Sequence, residues 1–99
     1  MENSDTSKKG ASSSYALRVI GDSMEPEFPE GMILIVEPEM DFAPNDFVIV
    51  KNGDEATFKQ ITKDGDDWYL KPLNPRYPIK PLGTAKIIGV VREATHNIK

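Results

Sequence analysis

The sequence predicts a single, mostly β domain, a compact fold of antiparallel strands and hairpins. From residue 15 onward, short apolar segments alternate with turn residues, and eight prolines interrupt the chain. No window of a dozen residues shows the 3.6-residue periodicity of an amphipathic helix. With 99 residues, 38% of them apolar, the chain is long enough for one domain and leaves little room for a second.

Residues 1–14 differ in composition from the rest of the chain. They read MENSDTSKKGASSS and offer almost no side chain for burial, so we expect a flexible tail or a linker remnant. No apolar stretch follows the lysines, so this segment is unlike a secretory signal, and the expected compartment is the cytoplasm. Residues 15–99 are predicted to form the folded domain.

The strands are predicted from apolar runs bounded by turn residues. The nearly all-apolar run at residues 31–36 predicts a strand that is buried on both faces. The sequences NGD at residues 52–54 and DGD at residues 64–66 are typical of hairpin turns, so the segments flanking each turn are expected to pair. The proline-rich residues 72–81 fit neither a regular helix nor a central strand. The predicted strands span residues 15–20, 31–36, 47–51, 55–63, 67–71 and 85–92.

Composition excludes several classes of function. The chain has no Cys and one His, which disfavours disulfides, a thiolate nucleophile and a multi-His metal site, so we predict neither metal nor cofactor. The longest strongly apolar run, residues 32–36, is too short to cross a membrane. The net charge is −4, and eight acidic residues but no Lys or Arg lie between Asp22 and Asp46. The chain by itself is therefore not expected to bind DNA.

The sequence GDSMEP at residues 21–26 directly follows a predicted strand. Gly21 and Pro26 constrain the backbone on either side of Ser23. A serine on such a turn can expose its hydroxyl and place backbone N–H groups around a developing oxyanion. The pattern alone fits better with an ordinary polar turn in which Ser23 caps a local backbone group.

A nucleophilic serine needs a base, and two residues are candidates. His96 lies near the C-terminus, where a surface position is the simpler interpretation. Lys59 lies inside a predicted strand, on the same face as Thr57 and Ile61. If that face is the inner one, burial lowers the pKa of Lys59 and favours the neutral amine that a base requires. The alternative is an edge-strand lysine with its ammonium in solvent.

Several sequence blocks follow one another along the predicted domain. They are GDSM at 21–24, PEGMILIV at 29–36, PNDFVIV at 44–50, TFKQI at 57–61, LKPLNPRYP at 70–78 and IIGVV at 87–91. Together they resemble the C-terminal domain of LexA-like, self-cleaving transcriptional repressors. The Leu-Asn-Pro-x-Tyr-Pro sequence is closer to phage repressors of the lambda CI kind than to LexA. The resemblance covers about residues 16–93.

The resemblance implies a Ser/Lys peptidase that cleaves a peptide bond in its own chain. Ser23 matches the nucleophile and Lys59 the general base, and the backbone N–H groups of Ser23 and Met24 are expected to hold the oxyanion. Asp22 is not expected to be catalytic, because a carboxylate beside Lys59 would keep the lysine charged. The implied activator is the RecA–single-stranded DNA filament of the DNA-damage (SOS) response. Cleavage is expected to be faster at alkaline pH.

The resemblance also implies a homodimer formed through this domain. The last predicted strand carries apolar residues on both faces, so it is either central in the sheet or at the dimer interface. Together with the proline-rich segment that includes Tyr77, it is expected to contribute to the dimer. DNA is expected to bind only through an N-terminal helix-turn-helix domain that these 99 residues lack, and no membrane partner is expected. The family's scissile Ala-Gly or Cys-Gly dipeptide is absent, so the chain resembles an excised or already cleaved domain.

Two alternatives remain open from the sequence. A dimerisation module of the same fold without activity would keep the same residues. Type I signal peptidases use the same Ser/Lys chemistry and carry a Ser-Met-x-Pro element, as at residues 23–26. Those enzymes need a membrane anchor and an extra domain, and neither is visible in this sequence.

Overall fold

A computed structural model describes residues 13–38 and 41–96. They form one seven-stranded sheet in the order β1-β2-β7-β3-β4-β5-β6, and every pair is antiparallel. The predicted mostly β, antiparallel fold is therefore confirmed. In these two ranges, no helix is long and apolar enough to cross a membrane. The strands are β1 (Tyr15–Arg18), β2 (Ile33–Glu37), β3 (Phe47–Asn52), β4 (Glu55–Asp64), β5 (Asp67–Lys71), β6 (Lys80–Pro81) and β7 (Lys86–Thr95).

Two tight hairpins join β3, β4 and β5, as the turn sequences predict. Each loop contains two residues and begins with a glycine, Gly53 in the first and Gly65 in the second. Both glycines have φ of +65°, a conformation that costs glycine far less than other residues. The loops fix the pairing register, and the register decides which face of the sheet each β4 side chain occupies.

Apolar side chains cover both faces of the sheet. Val48, Ile49 and Val50 are consecutive on β3, and successive side chains of a strand point to opposite faces. Since all three are nearly fully buried, both faces of the sheet are covered at β3. Lys59 lies opposite Val48 in the β3–β4 register and shares the face of Val48 and Val50. The first cluster contains Val19, Met32, Leu34, Val36 and Ile49, and the second contains Val48, Val50, Ile61 and Val90.

The strand predicted at residues 31–36 is buried on one face only. Met32, Leu34 and Val36 belong to the first cluster, whereas Ile33 and Ile35 are half-buried. The prediction of burial on both faces is therefore wrong. The reason is that β2 lies next to β1, which is an edge strand of the sheet. Near an edge, fewer side chains from other strands are present to cover the face that carries Ile33 and Ile35.

The end of β1 also differs from its prediction. The strand stops at Arg18 rather than at residue 20. The Val19 N–H donates to the carbonyl of Met32 at 2.8 Å, and its carbonyl accepts from the Gly31 N–H at 2.9 Å. Val19 turns into the first cluster, while Ile20 is 83% exposed.

Strand β7 is central, since it lies between β2 and β3. It runs to Thr95, three residues beyond its predicted end. Its pairing with β3 runs from Lys86 to Val90, and its pairing with β2 from Val90 to Thr95. A Cβ on Gly89 would lie 2.4 Å from the Cγ1 of Val36, so the close approach of β2 and β7 depends on glycine at this position.

Candidate active site

Ser23 lies in the loop that joins β1 to β2. Its neighbour Met24 is only 2% exposed and anchors the turn, while Ser23 itself is half-buried. Further along the loop, the ring of Phe28 packs edge-on against Phe47 on β3 and Phe58 on β4, at centroid distances of 4.8 and 5.0 Å. Edge-on aromatic pairs of this kind are stabilising. They hold the serine loop against the strands that form the middle of the sheet.

The side chain of Lys59 on β4 reaches Ser23. Its Nζ donates to Ser23 Oγ at 3.4 Å and to the carbonyl of Phe58 at 3.2 Å. The structure thus brings together the two side chains that the sequence predicts as nucleophile and base, although 36 positions separate them. The contact is long for a hydrogen bond, and such contacts commonly tighten in the complex with substrate.

The environment of Lys59 favours its neutral form. The pKa of Lys59 lies below its ordinary value, chiefly because burial removes water from the ammonium. The positive charge of Lys80 on β6 lowers this pKa further, whereas the carboxylate of Glu55 raises it. Since desolvation is the largest of these effects, burial in the fold is the main reason that the pKa of Lys59 is lowered.

The carboxylate of Asp22, next to Ser23, is directed to a tyrosine. It accepts a hydrogen bond from the hydroxyl of Tyr77, and this bond raises the pKa of Tyr77. The charge of Asp22 is not among the causes that shift the pKa of Lys59. Tyr77, which we predicted in a dimerisation patch, is 42% exposed and lines a cleft beside Ser23.

Besides the bond from Tyr77, the segment after β5 packs against the serine loop through three hydrogen bonds from Leu73 and Asn74. The N–H of Leu73 donates to Met24 Sδ at 3.4 Å. The N–H of Asn74 donates to the carbonyl of Ser23 at 3.0 Å, and its side-chain Nδ2 donates to the carbonyl of Asp22 at 2.9 Å. Asn74 is 9% exposed. Sequence reasoning did not single out Asn74, and its place in the LKPLNPRYP block was the one available signal.

The backbone N–H groups of Ser23 and Met24 are the donors predicted to hold the oxyanion. Within residues 13–38 and 41–96, neither group donates to a protein acceptor. The carbonyls on the other side of the same turn are engaged, since Ser23 O accepts from Asn74 and Met24 O accepts from Phe28.

Two clefts share Ser23, Thr57 and Lys59 in their linings. The proline-side cleft has a volume of about 330 Å³ and the β1-side cleft about 400 Å³. The proline-side cleft is also lined by Val50, Asn52, Glu55, Leu70, Pro72, Tyr77, Pro78, Lys80 and Ala85. The β1-side cleft is also lined by Leu17, Arg18, Val19, Ile20, Met24, Leu34, Ile49, Ala56 and Phe58.

The alternative base, His96, follows the last residue of β7 and is exposed. The hydrogen bond to Ser23 comes from Lys59 instead. In the part of the chain that the structure describes, no group of three or more His, Cys, Asp or Glu residues is arranged to hold a metal ion.

Comparison with known proteins gives one family match and several relatives. A family model described as Peptidase S24-like matches residues 1–92. Over 88 residues the chain is 49% identical to the HTH-type transcriptional regulator for conjugative element R391 of Providencia rettgeri, covering 81% of this chain and 41% of that protein. It is 42% identical over 97 residues to repressor protein C2 of Salmonella phage P22, covering 91% and 45% of the two chains.

A LexA repressor of Geobacter sp. (strain M21) is 35% identical over 98 residues, which cover 90% of this chain and 49% of the repressor. The chain thus spans less than half the length of these relatives. Their names confirm the resemblance to LexA-like and phage repressors that the sequence blocks predict.

Proposed function

Because this chain belongs to the Peptidase S24-like family, we propose that it is the self-cleavage and dimerisation domain of a transcriptional repressor, with Ser23 as nucleophile and Lys59 as general base. The observation that carries the proposal is the contact of Lys59 Nζ with Ser23 Oγ. The lowered pKa of Lys59 supports it, since a base must be neutral to accept a proton.

The proposed reaction is acyl transfer to serine followed by hydrolysis. Neutral Lys59 accepts the hydroxyl proton while Ser23 Oγ attacks the carbonyl carbon of the scissile peptide bond. The N–H groups of Ser23 and Met24 donate to the oxyanion that forms. The protonated Lys59 then gives its proton to the leaving amine, and an ester on Ser23 remains. Lys59 next takes a proton from a water molecule as the water oxygen attacks the ester carbonyl. The bond from the acyl carbon to Ser23 Oγ then breaks, Lys59 returns the proton to Oγ, and the new carboxyl end is released.

The two clefts support a peptide as the substrate. A scissile bond that lies over Ser23 has chain on both sides, and that chain needs space on both sides of the nucleophile. The proline-side cleft and the β1-side cleft provide it, with Ser23 and Lys59 in the lining of both. Both clefts are lined mainly by carbon atoms with a few polar groups, as is common for binding sites.

Dimerisation is proposed along the C-terminal end of β7. Within the described residues, β3 pairs with β7 only as far as Val90. The end of β7 from Glu93 to Thr95 pairs with β2 on one side, and no described strand covers its other edge. An uncovered strand edge is a template for pairing with a second chain, and a second copy bound there would form a twofold dimer.

Other activities of the repressor are proposed for parts of the protein outside these residues. The acidic net charge of −4 supports DNA binding by a separate helix-turn-helix domain rather than by this one. The HTH-type relative is named as a transcriptional regulator. We propose that the whole protein acts in the cytoplasm and that a RecA–single-stranded DNA filament stimulates its cleavage during the SOS response.

Cleavage of a peptide supplied in trans tests this function. The domain is incubated at alkaline pH with a peptide that carries an Ala-Gly bond, and mass spectrometry locates the cut. Ser23→Ala and Lys59→Ala are expected to abolish cleavage, whereas Lys63→Ala, on the same strand but packed over the Trp68 ring, is expected to cleave like the wild type. Cleavage by either dyad variant at the wild-type rate would contradict the proposal. A folded, dimeric wild type that cuts no peptide would support the silent dimerisation module instead.

A further inference from the structure

Asn74 makes two hydrogen bonds to the turn that carries the nucleophile. Its side-chain Nδ2 donates to the carbonyl of Asp22, and its backbone N–H donates to the carbonyl of Ser23. These are the two carbonyls of the peptide units on either side of the Ser23 α-carbon. Asn74 therefore contacts both peptide units of the nucleophile, and the N–H of Glu25 adds a longer bond to the Asp22 carbonyl at 3.2 Å.

The direction of those carbonyls decides the direction of the oxyanion donors. In a trans peptide unit, the C=O and the N–H point in opposite directions. The unit with the Asp22 carbonyl carries the N–H of Ser23, and the unit with the Ser23 carbonyl carries the N–H of Met24. Because Asn74 holds both carbonyls, both N–H groups point away from Asn74, and neither has a protein acceptor within the described residues.

Asn74 is itself fixed by the turn that follows it. Its Oδ1 accepts from the N–H of Arg76 at 3.0 Å, and its carbonyl accepts from the N–H of Tyr77 at 3.1 Å. The bond to Oδ1 also fixes the orientation of the side-chain amide, so that Nδ2 faces Asp22. A buried amide whose donor and acceptor are both engaged cannot rotate without breaking a bond.

We propose that Asn74 is a positioning residue that aims the N–H groups of Ser23 and Met24 at the oxyanion. This inference rests on the proposed function for its catalytic consequence, but it makes a separate claim about backbone geometry. Asn74 touches no reacting atom and acts only through the two peptide units. Its loss should therefore slow the chemical step without changing peptide binding or the base.

The test compares Asn74→Asp with Gln60→Glu. Asn74→Asp keeps the acceptor for the Arg76 N–H but removes the donor to Asp22. Gln60→Glu is the matched control, since Gln60 Nε2 also donates to a backbone carbonyl, that of Asn45 at 3.0 Å, away from the clefts. If Asn74→Asp does not fold, Asn74→Ser takes its place. The readouts are kcat and KM for peptide cleavage, the pH midpoint of kcat, and a crystal structure of the variant.

The expected result for Asn74→Asp is a fall in kcat of about 100-fold, the size of effect seen when one oxyanion donor is lost. KM is expected to stay unchanged, and the crystal structure is expected to show the Asp22–Ser23 peptide unit rotated. The pH midpoint is read from Asn74→Ser, which removes the donor without adding a charge near Lys59, and is expected to stay unchanged there. A kcat equal to that of Gln60→Glu, or a peptide unit in its wild-type orientation, would overturn the inference. If the wild type cuts no peptide, the proposed function fails alone, and the orientation of the peptide unit still decides this inference.

Discussion

Lys59 on β4 and Lys80 on β6 line the same cleft, and the charge of Lys80 lowers the pKa of Lys59. The carboxylate of Glu55 lines that cleft too and has the opposite effect. Lys80→Gln is therefore expected to raise the pKa of Lys59, and Glu55→Gln to lower it. NMR titration of the lysine Cε resonances measures both shifts, with Lys63→Gln as a control. Shifts of the same sign in both variants would contradict this account of the electrostatics.

The lowered pKa of Lys59 makes stability depend on pH. Between this lowered pKa and the ordinary value of about 10.4, the unfolded chain binds more protons than the folded one, so the free energy of unfolding contributed by Lys59 rises with pH. Lys59→Met removes this dependence. Its stability relative to the wild type is expected to be most favourable below the lowered pKa of Lys59 and to decline as pH rises through that window. Thermal unfolding at a series of pH values measures the difference, and a constant difference would contradict the prediction.

Gly89→Ala is expected to destabilise the fold. The added Cβ would lie 2.4 Å from Val36 Cγ1, and overpacking of this kind costs about 1–3 kcal/mol. Val36→Ala removes that Cγ1, so the double variant is expected to be more stable than the sum of the two single changes predicts. Urea unfolding of all four proteins gives the coupling free energy. Simple additivity would show that this contact does not limit the approach of β2 and β7.

Self-association is expected to depend on the end of β7. Thr95→Lys places a charge on the uncovered edge, and in a twofold dimer the change acts on both partners. The variant is expected to dissociate at concentrations where the wild type is dimeric. Thr84→Lys adds the same charge in an exposed turn and is expected to remain a dimer. Sedimentation equilibrium measures both, and equal dissociation of the two variants would place the interface elsewhere.

Local sequence patterns predicted most of the sheet. Strand β5 has its predicted bounds, Asp67–Lys71, because a glycine turn precedes it and a proline follows it. The prediction ends β7 at residue 92 because Glu93, Ala94 and Thr95 show no clear apolar alternation, whereas the strand runs to Thr95. Their strand conformation comes from pairing with β2, a contact with a distant segment that local pattern does not contain. The pair Lys80–Pro81 likewise forms a strand only because β5 lies beside it.

The candidate site was predictable to a similar extent. Alternation along β4 placed Lys59 on the face of Ile61, and that face is the buried one at Ile61. The pattern around Ser23 favoured a simple polar turn, and the ordered sequence blocks were needed to single it out. The two hydrogen bonds that Asn74 donates to the serine turn join residues more than fifty positions apart, and the periodicity of a sequence does not indicate such polar contacts.

Reaction of the domain with a fluorophosphonate tests the central claim most directly, because it needs no knowledge of the natural substrate. Ser23 Oγ displaces fluoride from phosphorus while Lys59 takes the hydroxyl proton. Mass spectrometry is expected to find a single adduct on Ser23, formed at a rate that rises with pH through the lowered pKa of Lys59. Lys59→Met is expected to abolish the adduct and Lys63→Met to leave its rate unchanged. Labelling of Ser23 in Lys59→Met at the wild-type rate would contradict the Ser23/Lys59 assignment.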